Sequence, residues 1–249
     1  PYLSPNEIAL LESSLDETAL QSRRYGRFAA GEGLVYPEFD ENVHVIDPFP
    51  VPPAWQDNIS IDPGLHNPLS AHWYAVDFDD NVYVVYEYYQ AGKDVDYHAE
   101  KIREICKKLG WHTDGKGRIE ALIDSAANQR TLASVKSVSE LFYERGILVN
   151  PNVDKDLFSG IQQVKSYLNR KNGLPNIYIF RGCVNLIREI KGYFWGEGDV
   201  PKKRDDHALD EMRYYLMSRP RGRAEKPALS EIQRDKERRI RRLGRERHG

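Results

Sequence analysis

The hydrophobic pattern in the first half of the chain predicts three short strands. Residues 58–62 (NISID), 69–78 (LSAHWYAVDF) and 81–89 (NVYVVYEYY) are rich in β-branched and aromatic residues and are bounded by turn formers. The sequence Asp79-Asp80-Asn81, between the second and third segments, is typical of a turn. Three successive antiparallel strands are the simplest arrangement of these segments.

From Asp94 onward, apolar residues at helical spacing alternate with short apolar runs. This pattern predicts helix 94–109, strand 119–124, helix 134–145, strand 147–150, helix 154–169, strand 177–180 and helix 206–217. Antiparallel strands followed by alternating helices and strands predict an α/β fold with a mixed sheet flanked by helices. This order of elements resembles a ribonuclease-H-like domain.

The two ends of the chain differ from this central region. Ser4-Pro5-Asn6-Glu7 has the pattern of a capping box, which predicts a helix starting near residue 5. Residues 34–53 are rich in proline and turn formers, which is typical of an extended connector. We therefore expect a helical and extended connector over 1–56, a folded domain over 57–218 and a mobile tail over 219–249.

Composition excludes several classes of protein. No apolar run approaches the roughly 20 residues that span a bilayer, and the amino terminus lacks the basic and apolar regions of a secretory signal. We therefore expect a protein inside a cell, neither secreted nor bound to a membrane. Cys106 and Cys183 are far apart and have no CxxC partner, which argues against a disulfide framework and a structural zinc site.

The net charge of −2 averages over unequal segments. Residues 219–249 contain twelve Lys or Arg and five Asp or Glu, so the rest of the chain is acidic. Within the acidic part, the loop GEGDVPKKRDD (196–206) places Lys202, Lys203 and Arg204 beside an acidic pair. These three cations are candidates for DNA phosphate contacts, and a solvated basic loop is the alternative.

Two aspartates end predicted strands. Asp62 closes ISID before Pro63-Gly64, and Asp124 closes IEALID. A turn-forming Asp62 and a helix-capping Asp124 are the structural alternatives. Because strand ends gather at one rim of sheets of this kind, we expect these two carboxylates to lie close together.

A third acidic group precedes the last predicted helix, in DDHALDEMRYYL (205–216). At about 100° per residue, Asp205 projects onto the centre of the apolar stripe of this helix and Asp206 onto its flank. Capping is the alternative role for one of the two. His207 is a candidate ligand, a candidate orienting group or simply a helix residue. Asp210 is expected to pair with Arg213 or a neighbour on the exposed side, and a supporting role beside the metal ligands is the alternative.

Carboxylates gathered at one rim repel one another unless a cation neutralises their charge. Oxygen-only ligands favour Mg²⁺ or Mn²⁺ over zinc. Two such ions about 4 Å apart activate a water molecule and stabilise the leaving oxygen in phosphodiester hydrolysis. The acidic residues therefore predict a two-metal nuclease site.

At this point a family resemblance becomes specific. ISIDPG (59–64), ALIDSAANQ (121–129) and DDHALDEMRYYL occur in the order and spacing of large terminase subunits of tailed phages, and GEGLVYPEFDENVHVIDPF (31–49) resembles the stretch before their nuclease domain. The resemblance covers most of residues 26–218. It implies that Asp62 and Asp124 take the first two metal positions and that the acidic pair before His207 supplies the third, with Asp206 matching the family motif better than Asp205. Because helical periodicity favours Asp205, both residues are kept as metal candidates.

The resemblance also implies a function and partners. It implies an endonuclease that cuts concatemeric double-stranded DNA during viral genome packaging in the host-cell cytoplasm, together with a packaging ATPase domain, a small terminase subunit and the portal or procapsid. This chain contains no GxxxxGK[ST] phosphate loop, so we expect the ATPase part to lie outside it.

Two other classes remain as alternatives. A ribonuclease-H-like resolvase or transposase shares the fold and the carboxylates, although the connector at 34–53 argues against it. A noncatalytic DNA-binding or capsid-docking module would carry the same acids in structural roles, and such a module has no reason to bind Mn²⁺ at that rim.

Overall fold

A computed structural model of the chain describes residues 33–64, 67–129, 136–169, 173–196 and 200–219. The helices are α1 (Glu41–His44), α2 (Val95–Leu109), α3 (Val138–Glu144), α4 (Leu157–Leu168), α5 (Val184–Gly192) and α6 (His207–Ser218). The strands are β1 (Val45–Ile46), β2 (Gln56–Asp62), β3 (Leu69–Val76), β4 (Val82–Gln90), β5 (Ile119–Ile123), β6 (Ile147–Asn150) and β7 (Ile177–Phe180). Short 3₁₀ turns cover Pro53–Trp55 and Ser125–Asn128.

The strands form one seven-stranded mixed sheet in the order β1-β7-β4-β3-β2-β5-β6. Strands β2, β3 and β4 are successive antiparallel neighbours. The pairs β2–β5, β5–β6, β4–β7 and β1–β7 are parallel. The mixed α/β sheet that the hydrophobic pattern predicts is therefore confirmed, including its antiparallel start.

Helices cover both faces of this sheet. On β3, the indole of Trp73 donates to the Cys106 sulfur of α2 at 3.3 Å. The next residue, Tyr74, donates its hydroxyl to Glu211 of α6 at 3.0 Å. Since neighbouring residues of a strand point to opposite faces, α2 and α6 lie on opposite sides of the sheet.

The side of the sheet under α6 contains a buried charged network. His72 of β3 contacts Glu211 at 2.6 Å through Nδ1 and Glu87 of β4 at 3.2 Å through Nε2. Glu87 in turn accepts hydrogen bonds from the backbone N–H groups of Asn185 and Leu186 at the start of α5. The network links α5, α6 and two central strands.

The proline-rich segment 34–53 is more than a connector. Val45–Ile46 is an edge strand paired with β7, and Val35 is fully buried. Phe49 packs edge-on against Tyr83 and Phe180 of the sheet. Proline and turn residues set the local extended shape, but the apolar side chains between them pack against the domain, which local composition does not reveal.

Local boundaries follow capping residues. The predicted helices 94–109 and 154–169 begin after the N-caps Asp94 and Asp156, and a capping box at Ser137 starts α3. The nine-residue α5 was not predicted, because the buried Glu189 interrupts its short apolar pattern. The predicted helix near residue 5 and the basic tail lie outside the described residues, apart from Arg219.

Of the helices in the described ranges, none has the length and apolar character to cross a membrane.

Candidate active site

The ends of β2 and β5 bring two aspartates together. Ile61 pairs with Ile123 in the parallel β2–β5 ladder, so Asp62 and Asp124 follow at the same rim of the sheet. The backbone N–H of Asp124 donates to the Ile61 carbonyl at 3.2 Å. The structure therefore places these two residues as adjacent neighbours.

Asp62 is a shielded carboxylate with only 15% of its side chain exposed. Burial raises its pKa, and the charges of Asp124 and Asp206 raise it further. His207 opposes this shift through a 3.2 Å contact between its Nδ1 and Oδ2 of Asp62. The same contact is the main cause of the raised pKa of His207. His207 is thus the charge partner of Asp62.

Asp124 has both structural and electrostatic partners. Its Oδ1 accepts a hydrogen bond from the Ala126 N–H at 2.8 Å, so it caps the 3₁₀ turn that follows β5. The same oxygen lies 2.6 Å from Nζ of Lys155. The Tyr214 hydroxyl donates to Oδ2 at 3.4 Å. The capping role weighed from the sequence is present. Asp124 also acts electrostatically on Asp62, and we call the interacting residues Asp62, Asp124, Asp206 and Asp210 the acidic cluster.

Asp206 stands at the N-cap position of α6, but its side chain makes no capping hydrogen bond. Glu189 of α5 takes that role, because its Oε2 accepts from the N–H groups of Ala208 at 2.8 Å and Leu209 at 3.2 Å. The Asp206 carboxylate is therefore not used in capping. Its charge contributes to the raised pKa of Asp62 and of Asp210.

Asp205 is placed differently. Its backbone is left-handed, with φ of 50°, and its side chain is 64% exposed and pairs with Arg204 at 3.4 Å. Helical periodicity does not apply to Asp205, because α6 begins only at His207. The structure brings Asp206, and not Asp205, into the electrostatic surroundings of Asp62.

Asp210 pairs with Arg213, as the sequence predicts. The pair is not on an exposed side, however, because the Arg213 side chain is only 7% exposed. Burial raises the pKa of Asp210 to about 7; Arg213 opposes the rise, and Asp206 and Asp62 add to it. Asp210 thus belongs to the same group of interacting charges.

The three basic residues of the preceding loop, Lys202, Lys203 and Arg204, are all exposed. Backbone hydrogen bonds hold the loop against the residues that follow α5: Lys202 N–H donates to the Phe194 carbonyl at 2.9 Å and Gly196 N–H to the Val200 carbonyl at 2.8 Å. The cations therefore lie on an anchored segment that leads directly into the acidic cluster.

Sequence patterns missed three residues at this rim, namely Lys155, Glu189 and Tyr214. Lys155 and Tyr214 contact Asp124, and Glu189 contacts the backbone of α6; each partner is at least 19 residues away in the sequence. The one available signal is the acidic residue within the apolar stripe of α5, where Glu189 is buried. No comparable signal marks Lys155 or Tyr214.

The carboxylates form an open arrangement. Within residues 33–64, 67–129, 136–169, 173–196 and 200–219, no three His, Cys, Asp or Glu side chains stand close enough together to hold an ion. Instead, Asp62 contacts His207 and Asp124 contacts the ammonium group of Lys155.

Replacing Glu189 by alanine should loosen the first turn of α6, because the N–H groups of Ala208 and Leu209 lose their acceptor while remaining buried. We expect a loss of about 2–3 kcal/mol in the free energy of unfolding and faster amide hydrogen exchange at these two residues. Glu189→Gln keeps an acceptor oxygen and should lose less. The control is Lys191→Ala, a change on the same helix as Glu189 that removes only an exposed ion pair with Glu41 of α1. Unchanged exchange in Glu189→Ala would contradict this role.

Among known proteins, similarity to this chain is found with solved structures. No family model matches the chain, and no curated protein matches it. Among solved structures, the large terminase from a thermophilic bacteriophage, in complex with ADP, is 25% identical, with a TM-score of 0.65 over 86% of this chain and 52% of that chain. The chain thus spans about half the length of that protein.

Two isolated nuclease domains share the fold. The P22 large terminase nuclease domain is 17% identical, with a TM-score of 0.59 over 75% of this chain and 92% of that domain. The nuclease of the large terminase from thermophilic phage G20c, with bound cobalt, is 9% identical, with a TM-score of 0.52 over 76% of this chain and 98% of that one. The resemblance read from the sequence motifs is confirmed, and this chain has the ribonuclease-H-like fold of a large-terminase nuclease domain.

Proposed function

We propose that this chain is the nuclease part of a large terminase, a divalent-metal-dependent endonuclease that cuts concatemeric double-stranded viral DNA during genome packaging. The observation that carries the proposal is the position of Asp62 and Asp124 at the ends of adjacent parallel strands, together with Asp206, whose side chain is not used in helix capping. The likeness to a large terminase of a bacteriophage supports the packaging context.

The residues present fit a divalent cation. The donors are carboxylate oxygens, which suit Mg²⁺ or Mn²⁺. The repulsion between these carboxylates contributes to the raised pKa of Asp62. At Asp124, the ammonium group of Lys155 balances the carboxylate charge. No three of the described side chains are close enough to hold one ion as they stand, so we propose that these carboxylates rearrange when an ion binds.

We assign Asp62, Asp124 and Asp206 to hold the metal, with two ions as the proposed number. When bound, such ions supply a nucleophilic water near neutral pH and stabilise the leaving oxygen. His207 orients the Asp62 carboxylate, and Arg213 fixes Asp210 beside it. Asp205 stays a peripheral acid in this proposal.

Lys202, Lys203 and Arg204 are proposed to hold the DNA phosphates that flank the scissile bond. Such contacts position a duplex without reading its sequence. In a complete packaging machine we propose that a packaging ATPase domain, a small terminase subunit and the portal or procapsid act with this chain in the host-cell cytoplasm. A helical and extended segment over 1–56 would join it to the ATPase domain, with 219–249 as a separate basic tail.

Plasmid digestion tests the proposed function. The full chain should nick and then linearise supercoiled plasmid with Mn²⁺ or Mg²⁺ and not with EDTA, and the cut ends should map to many sequences, because the described residues contain no base-reading element. Asp62→Ala should be inactive under all conditions. Cutting at one defined sequence would favour a site-specific enzyme, and EDTA-resistant cutting would exclude metal dependence.

A further inference from the structure

Lys155 lies in the segment between β6 and α4, outside every motif that the sequence singles out. Its Nζ is 2.6 Å from Oδ1 of Asp124. The Asp124 side chain is 12% exposed and that of Lys155 39%. A carboxylate of the proposed metal site therefore already carries a cation, and that cation belongs to the protein.

Helix α6 provides a second interaction for this ammonium group. Nζ of Lys155 lies 5.9 Å from the centre of the Tyr214 ring, within the range of a cation–π contact. The Tyr214 hydroxyl donates to the other oxygen of Asp124 at 3.4 Å. One aromatic side chain thus contacts both members of the ion pair.

We propose that Lys155 competes with the divalent cation for Asp124. In the metal-free protein its ammonium neutralises the carboxylate. A divalent ion at the same side chain repels the ammonium, so metal binding has to break or weaken the Lys155–Asp124 pair. This inference rests on the proposed function, since competition requires a metal site.

The competition has a direct consequence for activity. Lys155 stabilises the cluster without metal, and this raises the metal concentration at which the site fills. Because the lysine is more than a third exposed, its ammonium can move into solvent or toward a DNA phosphate and gives up only its contact with the Tyr214 ring. Lys155 is therefore a residue that sets metal affinity.

Titration of the full chain with Mn²⁺ by calorimetry tests the inference. Lys155→Met removes the charge and keeps an unbranched apolar stem over Tyr214, so the Kd for Mn²⁺ should fall by up to about 5-fold, the scale of one partly exposed charge pair. Lys155→Arg keeps the charge and should bind like the parent. The matched control is Lys101→Met on α2, which breaks an ion pair of 2.7 Å on the opposite side of the sheet and should leave the Kd unchanged.

The results distinguish failure of the Lys155 competition from failure of the nuclease assignment. If the parent binds Mn²⁺ and cuts DNA while Lys155→Met binds Mn²⁺ no more tightly, the competition is refuted and the nuclease assignment stands. If Lys155→Met alone binds Mn²⁺ in the accessible range, the competition is supported. If neither protein binds Mn²⁺, both proposals fail. Melting curves in EDTA confirm that each variant is folded.

Discussion

Alanine at Asp62, Asp124 or Asp206 is expected to abolish DNA cleavage, with a loss of at least about 10²–10³-fold, the scale of removing one catalytic electrostatic contact. Each change deletes a carboxylate that the proposed metal site needs. Plasmid nicking with Mn²⁺ measures the effect. Asp205→Ala is the matched control, because Asp205 is the adjacent acid but faces solvent, and we expect it to retain most of the activity.

Thermal melts add a readout that does not depend on cleavage. At a Mn²⁺ concentration about 100-fold above its Kd, the parent should gain about 2.7 kcal/mol, or several degrees in Tm. The three active-site variants should lose this gain. Without metal, Asp62→Ala should be as stable as the parent or slightly more stable because repulsion is relieved, whereas Asp124→Ala also loses the cap of a 3₁₀ turn. A variant Asp62→Ala that still cuts DNA and still gains the Mn²⁺ stabilisation would show that Asp62 is only a turn residue.

Glu211→Ala is expected to produce the largest loss of stability in the folded domain, about 3–5 kcal/mol, because it leaves the buried His72 with a broken charge pair. Burial by itself would lower the pKa of His72, but the carboxylates of Glu211 and Glu87 outweigh it and raise the pKa to about 9. Tyr74 loses its acceptor in the same variant. Urea unfolding measures the loss, and Glu104→Ala at an exposed pair on α2 should leave the midpoint unchanged.

The same network predicts a pH dependence with a definite sign. The folded-state pKa of His72 lies above its unfolded value near 6.5, so the stability it contributes is complete below about pH 6.5 and is lost as the pH rises through about 9. We expect the parent to lose stability between about pH 7 and 10. His72→Gln should show a flatter profile over that range, and a parent profile as flat as the variant's would contradict a protonated His72.

Much of the fold could be predicted from the sequence, because the signals are local. Runs of β-branched and aromatic residues bounded by turn formers predicted β3 and β4, and helical spacing after Asp94 predicted α2. The apolar runs ending in Asp62 and Asp124 predicted two carboxylates at one rim. Period and capping are properties of neighbouring residues, so a single sequence contains them. The resemblance in motif order added the terminase fold.

Local sequence patterns show which residues are acidic and which strands end in them. Which of these acids face one another depends on contacts between elements that are distant in the chain. Glu189 caps α6 from another helix, and that long-range contact frees Asp206 while Asp205 turns to solvent. Lys155 reaches Asp124 across 31 residues of chain. Periodicity tells which face of an element is buried, but partners from distant elements depend on how the sheet and helices pack, and no local pattern encodes that packing.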